Sequence, residues 1–144
     1  MLAAHADQTV LGYLGRALSL ELSAVQLYTT QARLADSWGL VEVAAKFSDE
    51  AGEELRHADR IIGRMLALGV APNASQLRPV GLGRTLLELL QHDLAFEREL
   101  ISLYDAASAH CKRSGDQDSR LFFEALLSEE RTHEKDLLQW IEKL

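Results

Sequence analysis

The chain holds a single cysteine, Cys111, and only two prolines, Pro72 and Pro79, in 144 residues. One cysteine excludes an internal disulfide and supplies no thiolate set for zinc or copper(I); it fits a reducing, cytoplasmic setting. Cys111 itself is expected to be a small, partly buried helix residue. Basic residues are outnumbered, 15 Lys and Arg against 22 Asp and Glu, giving a net charge of -7. That excludes the basic footprint of a nucleic-acid binder and suits a cationic partner such as a metal ion. No apolar run approaches the roughly 18 residues of a membrane-spanning helix. The start, "MLAAHADQTV", lacks a basic region leading into an apolar stretch, so no signal peptide is expected.

Hydrophobic residues make up 47% and charged residues 26%, an ordinary balance for one domain, residues 1–144, with a sizeable core. Leu11, Leu14, Leu18, Val25 and Tyr28 recur at helical steps, as do Leu86, Leu90, Leu94, Ile101 and Tyr104. Strand-like alternation is almost absent. Both prolines lie in "GVAPNASQLRPVGLG", the one long turn-rich segment. Gly39 in "DSWGL" and Gly115 in "KRSGDQD" break each half once. Four helices are predicted, over 7–36, 38–68, 83–113 and 116–143, with Asp7 and Asp118 as caps for the first and fourth. They form hairpins 7–68 and 83–143. The connection between them is long enough to run back along the molecule. The predicted class is an all-α antiparallel four-helix bundle with one long crossover.

The segment "EELRHADRII" sets Glu54 three residues before His57, and "SEERTHEKDL" does the same with Glu130 and His133. The offset (130 − 54 = 76) also maps Glu21 onto Glu97, Tyr28 onto Tyr104, Gly39 onto Gly115 and Phe47 onto Phe123. One ExxH pair is weak evidence. A single offset that aligns two pairs, two further glutamates, two tyrosines and both turn glycines describes a duplicated hairpin. Glu21 lies 18 residues before Gly39 and Glu54 lies 15 after it (39 − 21 and 54 − 39), about 27 and 23 Å from the turn at 1.5 Å per residue. Glu97 and Glu130 stand in the same relation to Gly115, so all four carboxylates are expected at one level.

Each His shares a face with its Glu at i and i+3. Glu21 and Glu97 are each flanked one turn away by apolar residues, Leu18 and Val25 or Leu94 and Ile101, which sets them on the core stripe. Ionised carboxylates there are costly unless cations pair with them. Four glutamates balance two divalent ions, and the histidines add no charge. Two Glu and two ExxH pairs on four helices are the donor set of a di-iron or di-manganese carboxylate bundle. Carboxylate and imidazole suit iron, manganese or a mixed pair. Glu42, Asp59, Arg60, Arg64, Lys135 and Glu142 read as exposed faces, and His5, His92 and His110, which lack repeat partners, as surface residues. Asp49, Glu50 and Glu53 read either as a solvated acidic face or as an inward path for iron.

The stretches "LELSAVQLY", "SWGL", "EELRHADRII", "HDLAFE" and "SEERTH" make the sequence resemble the bacterioferritins of the ferritin-like superfamily over almost its whole length. The resemblance implies a ferroxidase that oxidises Fe(II) to Fe(III) with O₂ or H₂O₂, for iron storage or detoxification. Glu21 and His57 would be terminal ligands of one iron, Glu97 and His133 of the other, with Glu54 and Glu130 bridging. Tyr28 matches a tyrosine that hydrogen-bonds a ligand or donates an electron there, while Tyr104 is expected to pack only. Haem in that family binds between paired subunits through a methionine just after the bridging glutamate of helix two. Here that position is Leu55, so no haem is expected at the usual place. The family's short fifth helix has no counterpart before the chain ends at Leu144. The resemblance implies a homo-oligomer, at least a dimer, with a 24-subunit shell left open.

Two rivals differ in kind. A rubrerythrin-like peroxidase would use the same metals without storage and commonly adds a glutamate ligand; Glu99 points away from the face of Glu97. A structural ferritin-like subunit would need no ligands, and all six are present.

Overall fold

The structure, a computed structural model, describes residues 7–73 and 76–144. Among the described residues there are four α-helices and no strand: α1 Gln8–Ser37, α2 Val41–Ala67, α3 Leu86–Ser114 and α4 Gln117–Glu142. Residues 1–82 and 83–144 form two compact units, each containing one helical hairpin.

In the first unit, Asp7 caps α1 by accepting a hydrogen bond from the Thr9 N–H at 2.8 Å. α1 stops at Gly39, whose φ of 79° is left-handed and lets the Leu40 N–H reach back to the Ala35 carbonyl. Leu14, Leu18 and Tyr28 are buried, while Leu11 and Val25 on the edge of the stripe are half-buried. Tyr28 packs on Phe47 of α2 with ring centroids 6.5 Å apart. After α2 the chain turns at Gly69 and runs back along α1. Asn73 passes Gly15, where an added Cβ would sit 4.0 Å from its Oδ1. Further on, the Arg78 N–H donates to Ser23 Oγ at 2.9 Å. This is the returning connection that its length predicted.

The second unit repeats the plan. Thr85 caps α3 by accepting from the Glu88 N–H, and Glu88 accepts from the Arg84 N–H. That pairing begins α3 at Leu86 rather than at 83. Gly115, with φ 77°, ends α3. Asp116, not Asp118, caps α4, accepting from the Ser119 N–H at 3.1 Å. Leu90 and Tyr104 are buried; Leu86, Leu94 and Ile101 are half-buried. Tyr104 packs on Phe123 at 6.4 Å, with an interplanar angle of 32° against 30° for Tyr28 and Phe47. Two residue pairs at one sequence offset thus share one geometry. Cys111 is fully buried at the foot of α3.

Candidate metal centre

All six residues singled out in the sequence are buried. Glu21, Glu54, Glu97 and Glu130 are 0% exposed, His57 2% and His133 7%. Burial on that scale is rare for carboxylates and needs proton donors or cations around them.

The first hairpin brings Glu21 from α1 against Glu54 and His57 from α2. His57 Nδ1 lies 3.0 Å from Glu21 Oε2 and 3.7 Å from Glu54 Oε1. One ligand atom from each of the three lies within 4.8 Å of the others. The helices explain it: Glu54 and His57 share a face at i and i+3, and the Gly39 turn folds that face onto α1. In the second hairpin, His133 Nδ1 lies 3.8 Å from both Glu97 Oε1 and Glu130 Oε2. Both imidazoles therefore turn the same nitrogen, Nδ1, toward their carboxylates. Oxygen and imidazole donors without thiolate fit iron or manganese.

Two acidic residues enlarge the picture. Half-buried Glu50, one turn before Glu54, offers an oxygen within 4.8 Å of a Glu54 oxygen. In the sequence it merges with exposed Asp49 and half-buried Glu53. Asp93, one turn before Glu97 on α3, is 0% exposed. The repeat gave no sign of it, because its counterpart (93 − 76 = 17) is Ala17.

The remaining expectations divide. Glu42, Asp59, Lys135, Glu142, His92 and Glu99 are exposed. Arg60, Arg64 and His110 are half-buried rather than exposed. His5 lies outside the described residues. No helix is long and apolar enough to cross a membrane among the described residues.

The sequence profile of the ferritin-like domain matches residues 11–144. Bacterioferritin of Rhodobacter capsulatus is 39% identical over 127 residues, 88% of this chain and 79% of that protein. Bacterioferritin of Brucella melitensis is 35% identical, with the same shares covered. One solved structure is that of R. capsulatus bacterioferritin with a metal-free dinuclear site and haem iron in a crystallographic special position. It superposes with a TM-score of 0.91 at 38% identity, over 95% of this chain and 86% of that one. The fold is accordingly the all-α ferritin-like four-helix bundle with a long crossover, and the function is that of a ferroxidase at a di-iron carboxylate-type site. A match over nearly the whole chain, at this identity, places the protein in the ferritin-like superfamily, on its bacterioferritin branch.

Proposed function

We propose that Glu21 and His57 hold one iron, Glu97 and His133 the other, and that Glu54 and Glu130 bridge them, with residues 1–144 acting as one domain. The observation that carries this is the burial, in each hairpin, of two carboxylates and one imidazole. Fe(II) is the substrate, and each ion gives one electron to O₂ or H₂O₂. The glutamates neutralise the two cations, and the neutral histidines add donor nitrogens without adding charge. Tyr28, buried on α1 two turns beyond Glu21, is suited to orient a ligand or supply an electron. Glu50 provides a half-buried carboxylate beside Glu54 for iron on its way in. Manganese or a mixed pair suits the same donors.

Stopped-flow absorbance after mixing apo protein with aerobic Fe(II) tests the assignment. Glu21→Ala and His133→Ala should each abolish rapid oxidation while far-UV circular dichroism keeps its helical signal. Unchanged kinetics in both variants would sink it.

Haem does not fit the position where the family ligates it. Leu55 has no donor atom and its side chain is 53% exposed. The purified protein is expected to show no Soret band at stoichiometric intensity, and such a band would overturn this. We place the protein in the cytoplasm as a homo-oligomer of at least two chains, with the 24-subunit shell left open. Glu50 also gives the rubrerythrin-like reading a specific support, since a further carboxylate near the ligands is what that reading requires. Iron retained per chain separates the two. Aerobic Fe(II) additions followed by size-exclusion chromatography should leave tens of irons per chain for storage, against about two for a catalytic centre alone.

A further inference from the structure

The groove between α3 and α4 of the second hairpin holds a cavity of about 540 Å³, within the size range of small-molecule sites. Its lining divides by charge. Asp105 of α3 and Glu124 of α4 supply carboxylates nearer the Gly115 turn, and Arg131 and Lys135 of α4 supply cations further from it. Glu124 is engaged, accepting from Arg120 at 3.2 Å and from the Ser108 hydroxyl at 3.3 Å. Asp105 and Arg131 stand 4.0 Å apart with side chains 69% and 58% exposed, a contact that water screens and a ligand can displace. Glu134, next to Lys135 in sequence, is held by Arg98 at 2.9 Å. Among the described residues Lys135 makes no ion pair, and the Ser128 hydroxyl donates no hydrogen bond. Arg131 and Lys135 lie at i and i+4, so two like charges share one turn, at a cost to the free protein. Ser128 lies one turn before Arg131 on the same stripe. The fold does not require these charges. The first hairpin forms a groove of about 320 Å³ at the equivalent place, lined at the matching positions by Thr29, Ala32, Ser48 and Ala51. There the counterparts of Ser128, Arg131 and Lys135 (128 − 76, 131 − 76 and 135 − 76) are Gly52, Leu55 and Asp59.

We propose that the α3–α4 groove binds a phosphoryl group, with Arg131 and Lys135 as its charge partners and the Ser128 hydroxyl as a further donor. Arginine presents a planar fork to two phosphate oxygens, and lysine a point charge to a third. An anion between them turns the repulsion within the pair into attraction. The cavity is larger than one phosphate, and its other end offers Asp105 and Glu124 as acceptors for hydroxyl groups. The phosphoryl group is therefore either free or carried by a hydroxyl-bearing molecule, with the same chemistry at Arg131 and Lys135. The site shares no residue with the proposed metal centre and does not depend on it.

The experiment titrates the full chain, kept free of iron so that phosphate meets no Fe(III), with inorganic phosphate, ribose 5-phosphate and ribose. Phosphorus NMR line broadening and calorimetry follow binding, with chloride holding the ionic strength constant. Phosphate and ribose 5-phosphate should bind, and ribose should not. Equal affinity for the first two identifies a free anion as the ligand; tighter ribose 5-phosphate identifies a phosphorylated, hydroxyl-bearing molecule. Arg131→Ala and Lys135→Ala should each weaken phosphate by about ten-fold, the loss expected for one charge-assisted hydrogen bond. Asp105→Asn should tighten it by about two- to five-fold, because an exposed ion pair no longer has to be given up. Arg131, Lys135 and Asp105 are exposed, so the variants should fold, and circular dichroism checks each. Absence of binding above the chloride control overturns the proposal. So does binding that survives unchanged in both Arg131→Ala and Lys135→Ala, which would put the anion elsewhere, and so does ribose binding as tightly as its phosphate.

Discussion

A glutamate with none of its surface in water is costly when ionised, and Glu21, Glu54, Glu97 and Glu130 are four such residues. The metal-free protein bears that cost, and neutralising one of them should relieve it. Glu130→Gln is expected to raise the midpoint of thermal unfolding in chelator by about 2–4 °C, the shift that roughly 1 kcal/mol produces in a chain of this size. The same variant should lose the stabilisation that Co(II) gives wild type; scanning calorimetry with and without cobalt checks both. Tyr28→Phe tests a second side chain. It keeps the packing on Phe47 but removes the hydroxyl, so unfolding should barely move while Fe(II) oxidation slows several-fold. Tyr104→Phe should change neither. The six buried residues of the candidate centre were legible because duplication displays each one twice. Asp93 was not, since duplication hides whatever one copy lacks. Glu50 was not, since an acidic run gives no local cue to which member turns inward.

At the scale of the element, both hairpin turns depend on a left-handed glycine. A Cβ on Gly39 or Gly115 would meet nothing within 4 Å, so the cost of alanine there is conformational rather than steric crowding by neighbours. Gly39→Ala and Gly115→Ala should each lose about 1–2 kcal/mol in urea unfolding, the cost of a left-handed L-residue. Asp116→Ala should lose about 1 kcal/mol as a cap, against a smaller loss for exposed Asp118→Ala. Four helices, their pairing and their turn glycines could be read from periodicity. Their starts could not. "SGDQD" offers two aspartates, and only the backbone leaving Gly115 decides that Asp116 meets the N–H of Ser119. Thr85 likewise moved the start of α3 by pairing with Glu88.

At the scale of the molecule, the chain is two versions of one hairpin joined by a returning segment fixed at Ser23. The length and turn-rich composition of that segment announced the return; the hydrogen bond that anchors it had no signature. Metal binds the folded chain and not the unfolded one, so free divalent ion at one hundred times its dissociation constant should add about 2.7 kcal/mol per site. The buried carboxylates thus have a consequence outside catalysis. In a cell short of iron the population of opened chains rises, and proteases remove opened chains. The lifetime of the protein then follows the supply of its own substrate, and its abundance falls when there is little iron to oxidise.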